Sequence, residues 1–237
     1  MAIRPVFFPI LPSEAAHPGV NVRNVSFPWV PGQAFSQRQK CAHSLQSAIR
    51  SLFPEARVLE ISSKSSDLLG VELSALNLTF PDGISVENHY QCAKIFDSHL
   101  GPFPEWLCLT PQEVRRRIHE AGEGRRLRGF SYAGEMWPLM PVSLFYDWLY
   151  CTALVHHTTL TQRLLSYNAF TDIEFNPEKS VSCQAAAAAY YCSLHAFGVV
   201  EPLLKSPAEF EHAYSQHIRM TSGKAMGTAQ QEELHFT

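Results

Sequence analysis

The 237-residue sequence lacks most of the signatures that announce a function. It has no C-x-x-C pair. Its six cysteines, at 41, 92, 108, 151, 183 and 192, are dispersed and fall mostly in predicted helices, which argues against a disulfide framework or a zinc ribbon. No apolar run approaches the ~18 residues that cross a bilayer. Met1 to Ile10 lacks the apolar stretch and small-residue cleavage site of a secretory leader. The expectation is a reduced, cytoplasmic protein with no membrane partner. No Gly-rich phosphate loop, G-x-G-x-x-G or G-x-S-x-G occurs, so the common nucleotide-fold and hydrolase motifs are missing. Histidine is plentiful, but His156-His157 are neighbours on different helix faces, and His212 and His217 lie five apart near the end of the chain. Helix surface or packing accounts for them, and no metal or cofactor is expected.

Charge is scarce too. Charged residues make up 17% against 46% hydrophobic, which excludes a disordered chain or a coiled-coil rod. The formal net charge of −3 excludes a protein that coats nucleic acid by bulk charge. Position changes that picture. Arg115, Arg116, Arg117, Arg125, Arg126 and Arg128 face only Glu120 and Glu123 within their window, so residues 115–128 carry +4 and the remainder −7. A local grip on nucleic acid stays open beside the plainer reading of a solvated helix end.

What is present organises as one α+β domain, predominantly helical with a few short strands. Residues 1–35 are proline-rich and read as an extended arm, either packed on the domain or facing a partner. Residues 36–220 form the domain and 221–237 a flexible tail. Helices are expected over 36–52, 85–96, 110–122, 143–157, 160–165 and 183–197, with a last one from Ser206. Strands are expected over 57–62, 70–80 and 126–132. Pro81-Asp82-Gly83 is a turn, and the alanine run 185–189 marks close helix packing.

Four polar clusters could carry chemistry. On a helix from Ser85, Glu87, Gln91 and Lys94 fall at i, i+4 and i+7 and share one face, although a solvated polar face would look the same. In an extended 170–177, Asp172 and Glu174 share a face, as they would on an edge strand. Trp137, in a proline-bounded loop, either stacks on a base or fills the core. Ser62-Ser63-Lys64-Ser65-Ser66 offers hydroxyls and a cation to phosphate, or is a polar turn.

The order Leu73-Ser74-Ala75-Leu76-Asn77, then Ser85-Val86-Glu87-x-x-Tyr90-Gln91-x-x-Lys94, resembles the NADAR (YbiA-like) family. The stretches at 31–40, Leu59-Glu60-Ile61-Ser62-Ser63-Lys64-Ser65, Phe145-Tyr146-Asp147-Trp148-Leu149-Tyr150 and 170–177 are similar to one branch of it. Those are the antitoxins encoded beside DarT-type toxins that ADP-ribosylate guanine in DNA. Ile95 departs from the family, which often has Phe there, and the arginine island matches no family motif. The resemblance implies removal of ADP-ribose from guanine by cleavage of the N-glycosidic bond, with ADP-ribosylated DNA, the ADP-ribose product and a cognate toxin as partners. In that frame Lys94 is the nucleophile that forms an imine, with Glu87 or Asp172 as acid/base. Gln91 and Asn77 orient the sugar, Glu174 is a further substrate-binding residue, and Ser62, Lys64 and Ser65 hold the pyrophosphate. Trp137 or Tyr90 stacks on a base, and Arg115, Arg116, Arg125, Arg126 and Arg128 contact DNA. The same resemblance leaves open an N-glycosidase for phosphorylated riboflavin-pathway intermediates. A third possibility is a catalytically idle module that binds ADP-ribose or the toxin.

Overall fold

The computed structural model describes residues 1–32, 34–177 and 182–222, with side chains through 216 in the last helix. The chain begins with two strands, β1 (Ala2–Pro9) and β2 (Val20–Phe27), paired antiparallel from Ala2↔Phe27 to Pro9↔Val20. The stretch expected as an extended arm is therefore a hairpin inside the domain. Val6, Val25 and Phe27 are buried, and sealing a Phe or Val from water is worth ~1.5–3 kcal/mol. Prolines obscured it because the ring removes a ladder donor. β1's register with its other neighbour is confined to Phe7↔Phe170, which lies between Pro5 and Pro9.

Helix α1 (Phe35–Leu52) packs Cys41, Ala42, Leu45 and Ile49 against this hairpin. β3 (Val58–Glu60) and β7 (Ala169–Thr171) then complete a four-stranded sheet in the order β2-β1-β7-β3, with β3 and β7 parallel. β7 is thus an interior strand, all three residues buried, and not the edge strand expected over 170–177. Extended pairing stops at Thr171. The Asp172 carboxylate accepts from the backbone N–H of Glu174 (3.0 Å) and of Phe175 (3.2 Å), closing a turn.

Residues 70–80, expected as a strand, contain instead the short helix α2 (Leu68–Glu72), capped by Asp67, whose side chain accepts from the Leu69 N–H. Irregular backbone follows. Apolar residues there alternate because Leu73, Ala75, Leu78 and Phe80 all reach one core along a winding path. Ser85 caps α3 (Val86–Cys92) as expected, but the helix ends four residues early. The carbonyls of Cys92 and Ala93 accept from Phe103 and Ser131, and Lys94–Phe96 becomes β4 in a second sheet ordered β4-β5-β6. It pairs with β5 (Leu127–Tyr132), which pairs in turn with β6 (Glu135–Trp137), the latter in the segment expected as a loop. Between β4 and β5 runs α4 (Pro111–Gly122), started by Thr110.

The remaining helices are α5 (Leu144–Val155), α6 (Thr158–Leu164), α7 (Gln184–Ala196), α8 (Val200–Lys205), which was not anticipated, and α9 (Pro207–Ser222). α5 is buried almost all round. Ala185, Ala187, Ala188 and Ala189 let α7 approach both it and β1. Among the described residues no helix is long and apolar enough to cross a membrane. The tail expected from 221 lies outside the described residues beyond 222.

Candidate active site

Although Lys94 sits on a strand rather than on the helix, the expected row survives. Gln91 stands one turn beyond Glu87 on α3, and its amide nitrogen donates to Glu87 Oε1 at 3.0 Å. Lys94, first residue of β4 and aligned with Phe130 across the sheet, turns its Nζ back to donate to Gln91 Oε1 at 2.7 Å. The C-cap at Ala93 redirects the chain while keeping the amine within reach of the helix face it has left. Arg115, on α4, donates from Nε to Glu87 Oε1 at 2.6 Å. That guanidinium is half-exposed and covers a buried carboxylate.

Lys94 is only 4% exposed. Its pKa falls from 10.5 to about 8: burial lowers it most, Glu87 opposes that and the Arg115 charge adds to it. The Tyr90 ring lies 5.5 Å from Nζ, and is itself packed between Phe130, Phe145 and Tyr146. Burial raises its phenol to about 12.

The second expected cluster meets the first at Tyr146, on α5. Both Glu87 and Asp172 push the Tyr146 phenol further above its ordinary range, on top of the effect of burial, and Arg115 feels both Tyr146 and Glu174. Asp172 is buried, and its Oδ2 accepts from Gln184 Nε2 at 3.0 Å. Burial, and then the charge of Glu60, push Asp172 up to about 8. Glu174 is exposed and accepts from Ser63 Oγ at 3.1 Å, which brings the 62–65 loop to the same rim.

Other expected site residues turn inward. Trp137 is 3% exposed and packed on Phe145 and Trp148, so it fills the core instead of stacking on a base. Ser62 Oγ donates to Glu60 and accepts from the Lys64 N–H, while Ser65 Oγ accepts from the Asp67 N–H. Both hydroxyls shape the loop, and Ser63 with Lys64 are its half-buried outward members. Asn77 donates to the Val71 carbonyl at the end of α2.

Of the arginines, only Arg115 joins the row. Arg116 pairs with Glu113 and Glu120, and Arg128 pairs with Asp97, which also accepts from the Arg126 N–H; Arg125 donates to the Ala121 carbonyl. Glu60, Tyr146 and Gln184 had no assigned role. Glu60 and Tyr146 lie inside recognised sequence blocks, which was the available signal. Among the described residues, no three His, Cys, Asp or Glu side chains are placed to hold a metal ion.

The arrangement therefore joins a desolvated amine, a carboxylate neutralised by arginine and a second, protonatable carboxyl, with a cation and a hydroxyl at the rim. A search of curated proteins found no match. The family model of the DarT1-associated NADAR antitoxins matches residues 2–224, which takes in the hairpin, both sheets and every residue of this site. The chain belongs to the NADAR family and is an antitoxin of its DarT1-associated branch.

Proposed function

We propose that this antitoxin is a hydrolase that frees guanine in DNA from ADP-ribose attached by a cognate toxin. The observation that carries the reading is Lys94, almost wholly out of water with its pKa lowered to about 8, at the end of the Glu87–Gln91–Lys94 row. At that pKa a substantial fraction is neutral amine near physiological pH, as a nucleophile needs. Nζ attacks the anomeric carbon of the distal ribose. The carbon–nitrogen bond to guanine breaks, and its electron pair leaves with the base, which takes a proton from Asp172. Nζ then loses a proton to the ring oxygen as the ring opens, giving an imine. Water adds to the imine, the carbon–nitrogen bond breaks, and ADP-ribose leaves with the amine restored. Glu87 lies beside the positive charge that develops at the sugar, while Gln91 and Glu174 orient hydroxyls. Lys64, Ser63 and Arg115 face the pyrophosphate.

Incubation of the purified protein with ADP-ribosylated DNA is expected to release free ADP-ribose over many turnovers. Borohydride is expected to trap an ADP-ribose adduct on the wild-type chain. Stoichiometric protection with no release would instead establish a binding module.

DNA as substrate is supported by the exposed ion pairs of Arg116 and Arg128. Such pairs are worth only ~0–1 kcal/mol, so their guanidiniums can exchange a carboxylate for a phosphate at little cost. Replacing Arg116, Arg125, Arg126 and Arg128 by glutamine should lower kcat/KM on DNA by about tenfold or more and flatten its salt dependence. Turnover of free ADP-ribosyl guanosine should stay near the parent rate. Equal losses on both substrates would make the island structural.

A further inference from the structure

Glu60 is the second buried carboxylate beside Asp172, and the chemistry above leaves it unused. It is 1% exposed at the end of β3, next to β7 in the sheet. Three donors converge on it. Ser62 Oγ and the Ile173 N–H reach Oε1, both at 2.8 Å, and Thr171 Oγ1 reaches Oε2 at 2.6 Å. Two of these donors, Thr171 and Ile173, flank Asp172 in the chain. Burial raises the Glu60 pKa above the ordinary carboxylate range, and the Ile173, Thr171 and Ser62 donors oppose that by favouring the anion. Asp172 also accepts three hydrogen bonds, from the Glu174 and Phe175 N–H groups and from Gln184, but at 3.0, 3.2 and 3.0 Å each is longer than any at Glu60, and it lies within reach of the Glu60 charge.

We infer that Glu60 is a positioning residue: it pins both neighbours of Asp172 and, as a fixed buried anion, keeps the proton on Asp172 for transfer to the leaving base. The inference rests on the reading of Asp172 as proton donor. Two like charges in one low-dielectric site do not both ionise readily, so the carboxyl held by the longer donors, Asp172 at 3.0–3.2 Å against 2.6–2.8 Å for Glu60, retains the proton. Around Asp172 the other titratable groups are Tyr146 and Tyr150 of α5, Cys183 at the start of α7 and Glu174 of its own turn. Tyr146, Tyr150 and Cys183 are all held in their neutral forms by burial, so Glu60 and Glu174 are the anions acting on it.

The test is the pH profile of kcat/KM for ADP-ribose release by Glu60→Gln, which keeps the shape and the two contacts to its acyl oxygen while removing the charge. The alkaline limb, which reports loss of the Asp172 proton, is expected to move down by at least about one pH unit. The acidic limb, which reports Lys94, should stay in place. A profile that drops in height with both limbs unmoved would make Glu60 a packing residue and overturn the inference. Asp172→Asn separates the two claims. If it turns over at the parent rate, the proton-donor reading fails. If it is inactive while Glu60→Gln keeps the wild-type alkaline limb, only the Glu60 inference fails. Should Glu60→Gln not fold, carboxyl carbon NMR titration of the wild type decides. A coupled, two-step titration of Glu60 and Asp172 supports the inference, and an independent, ordinary step for Asp172 overturns it.

Discussion

Replacing Lys94 by methionine is expected to abolish ADP-ribose release, by a factor on the order of 10³ or more, while making the protein more stable at neutral pH. Both effects have one origin. The ammonium is buried where water cannot solvate it, which is why its pKa falls from 10.5 to about 8. Lowering a pKa by one costs the charged form ~1.36 kcal/mol, so the ammonium burdens the fold by about 3 kcal/mol at pH 7. Methionine fills a similar volume without charge. It leaves Gln91 Oε1 without its donor, which costs about 1 kcal/mol, for a net gain of about 2 kcal/mol. The sign follows from linkage. Between pH 8 and 10.5 the unfolded chain holds more protons on this lysine than the folded one, so wild-type stability rises across that window. The advantage of Lys94→Met should therefore be largest below pH 8 and shrink towards pH 10.5. Urea unfolding at neutral pH and at the top of that window reads it directly. A variant that keeps the parent rate is incompatible with a lysine nucleophile. A variant destabilised at neutral pH would mean that the amine is solvated and unsuited to the role.

The parts of this molecule that follow local rules were legible in the sequence. The Thr110 and Ser85 caps, the turn at Pro81-Asp82-Gly83 and the burial periodicity of α1 are decided within a few residues, and each is where its residues place it. The site was legible as a set of residue types, since Glu87, Gln91 and Lys94 do form one hydrogen-bonded row. Its geometry was not. Helical spacing placed Lys94 on α3, whereas carbonyl partners from Phe103 and Ser131, supplied by distant segments, end that helix and start β4. Glu60 was hidden for the same reason. Its three donors come from Ser62, Thr171 and Ile173, two of them more than 100 residues away, so its place in the Leu59–Ser65 block was visible but its buried role was not. The arginine island was visible as charge, but only the fold separates Arg115, which serves Glu87, from the exposed arginines that pair with Glu113, Glu120 and Asp97.

Gly70 is where α2 touches the site, and Gly70→Ala is expected to be among the most damaging single substitutions outside the row. Gly70 lies in α2 with ordinary helical backbone, so no strained angle demands a glycine there. What demands it is proximity. A β-carbon would land on the carbonyl oxygen of Glu60, far inside van der Waals contact, and only 2.5 Å from Ser65 Oγ. Neither neighbour can yield cheaply. The Glu60 backbone belongs to β3, paired with β7, and Ser65 Oγ is holding the Asp67 N–H at the start of α2. Forcing one methyl into such a contact costs ~1–3 kcal/mol or more, because the strain passes to rigid elements. The displacement runs into the site, since moving β3 moves the carboxylate that organises Thr171, Asp172 and Ile173. Gly70→Ala should thus lower stability by about 3 kcal/mol and reduce turnover in whatever fraction stays folded. Gly83→Ala is the control. That glycine has open space around its α-carbon but a positive φ of 80°, so alanine there should cost only about 1 kcal/mol and leave turnover of the folded protein unchanged. Equal unfolding midpoints for the two variants would show that α2 can move away from Glu60, and that the close packing of α2 on β3 does not hold the site in place.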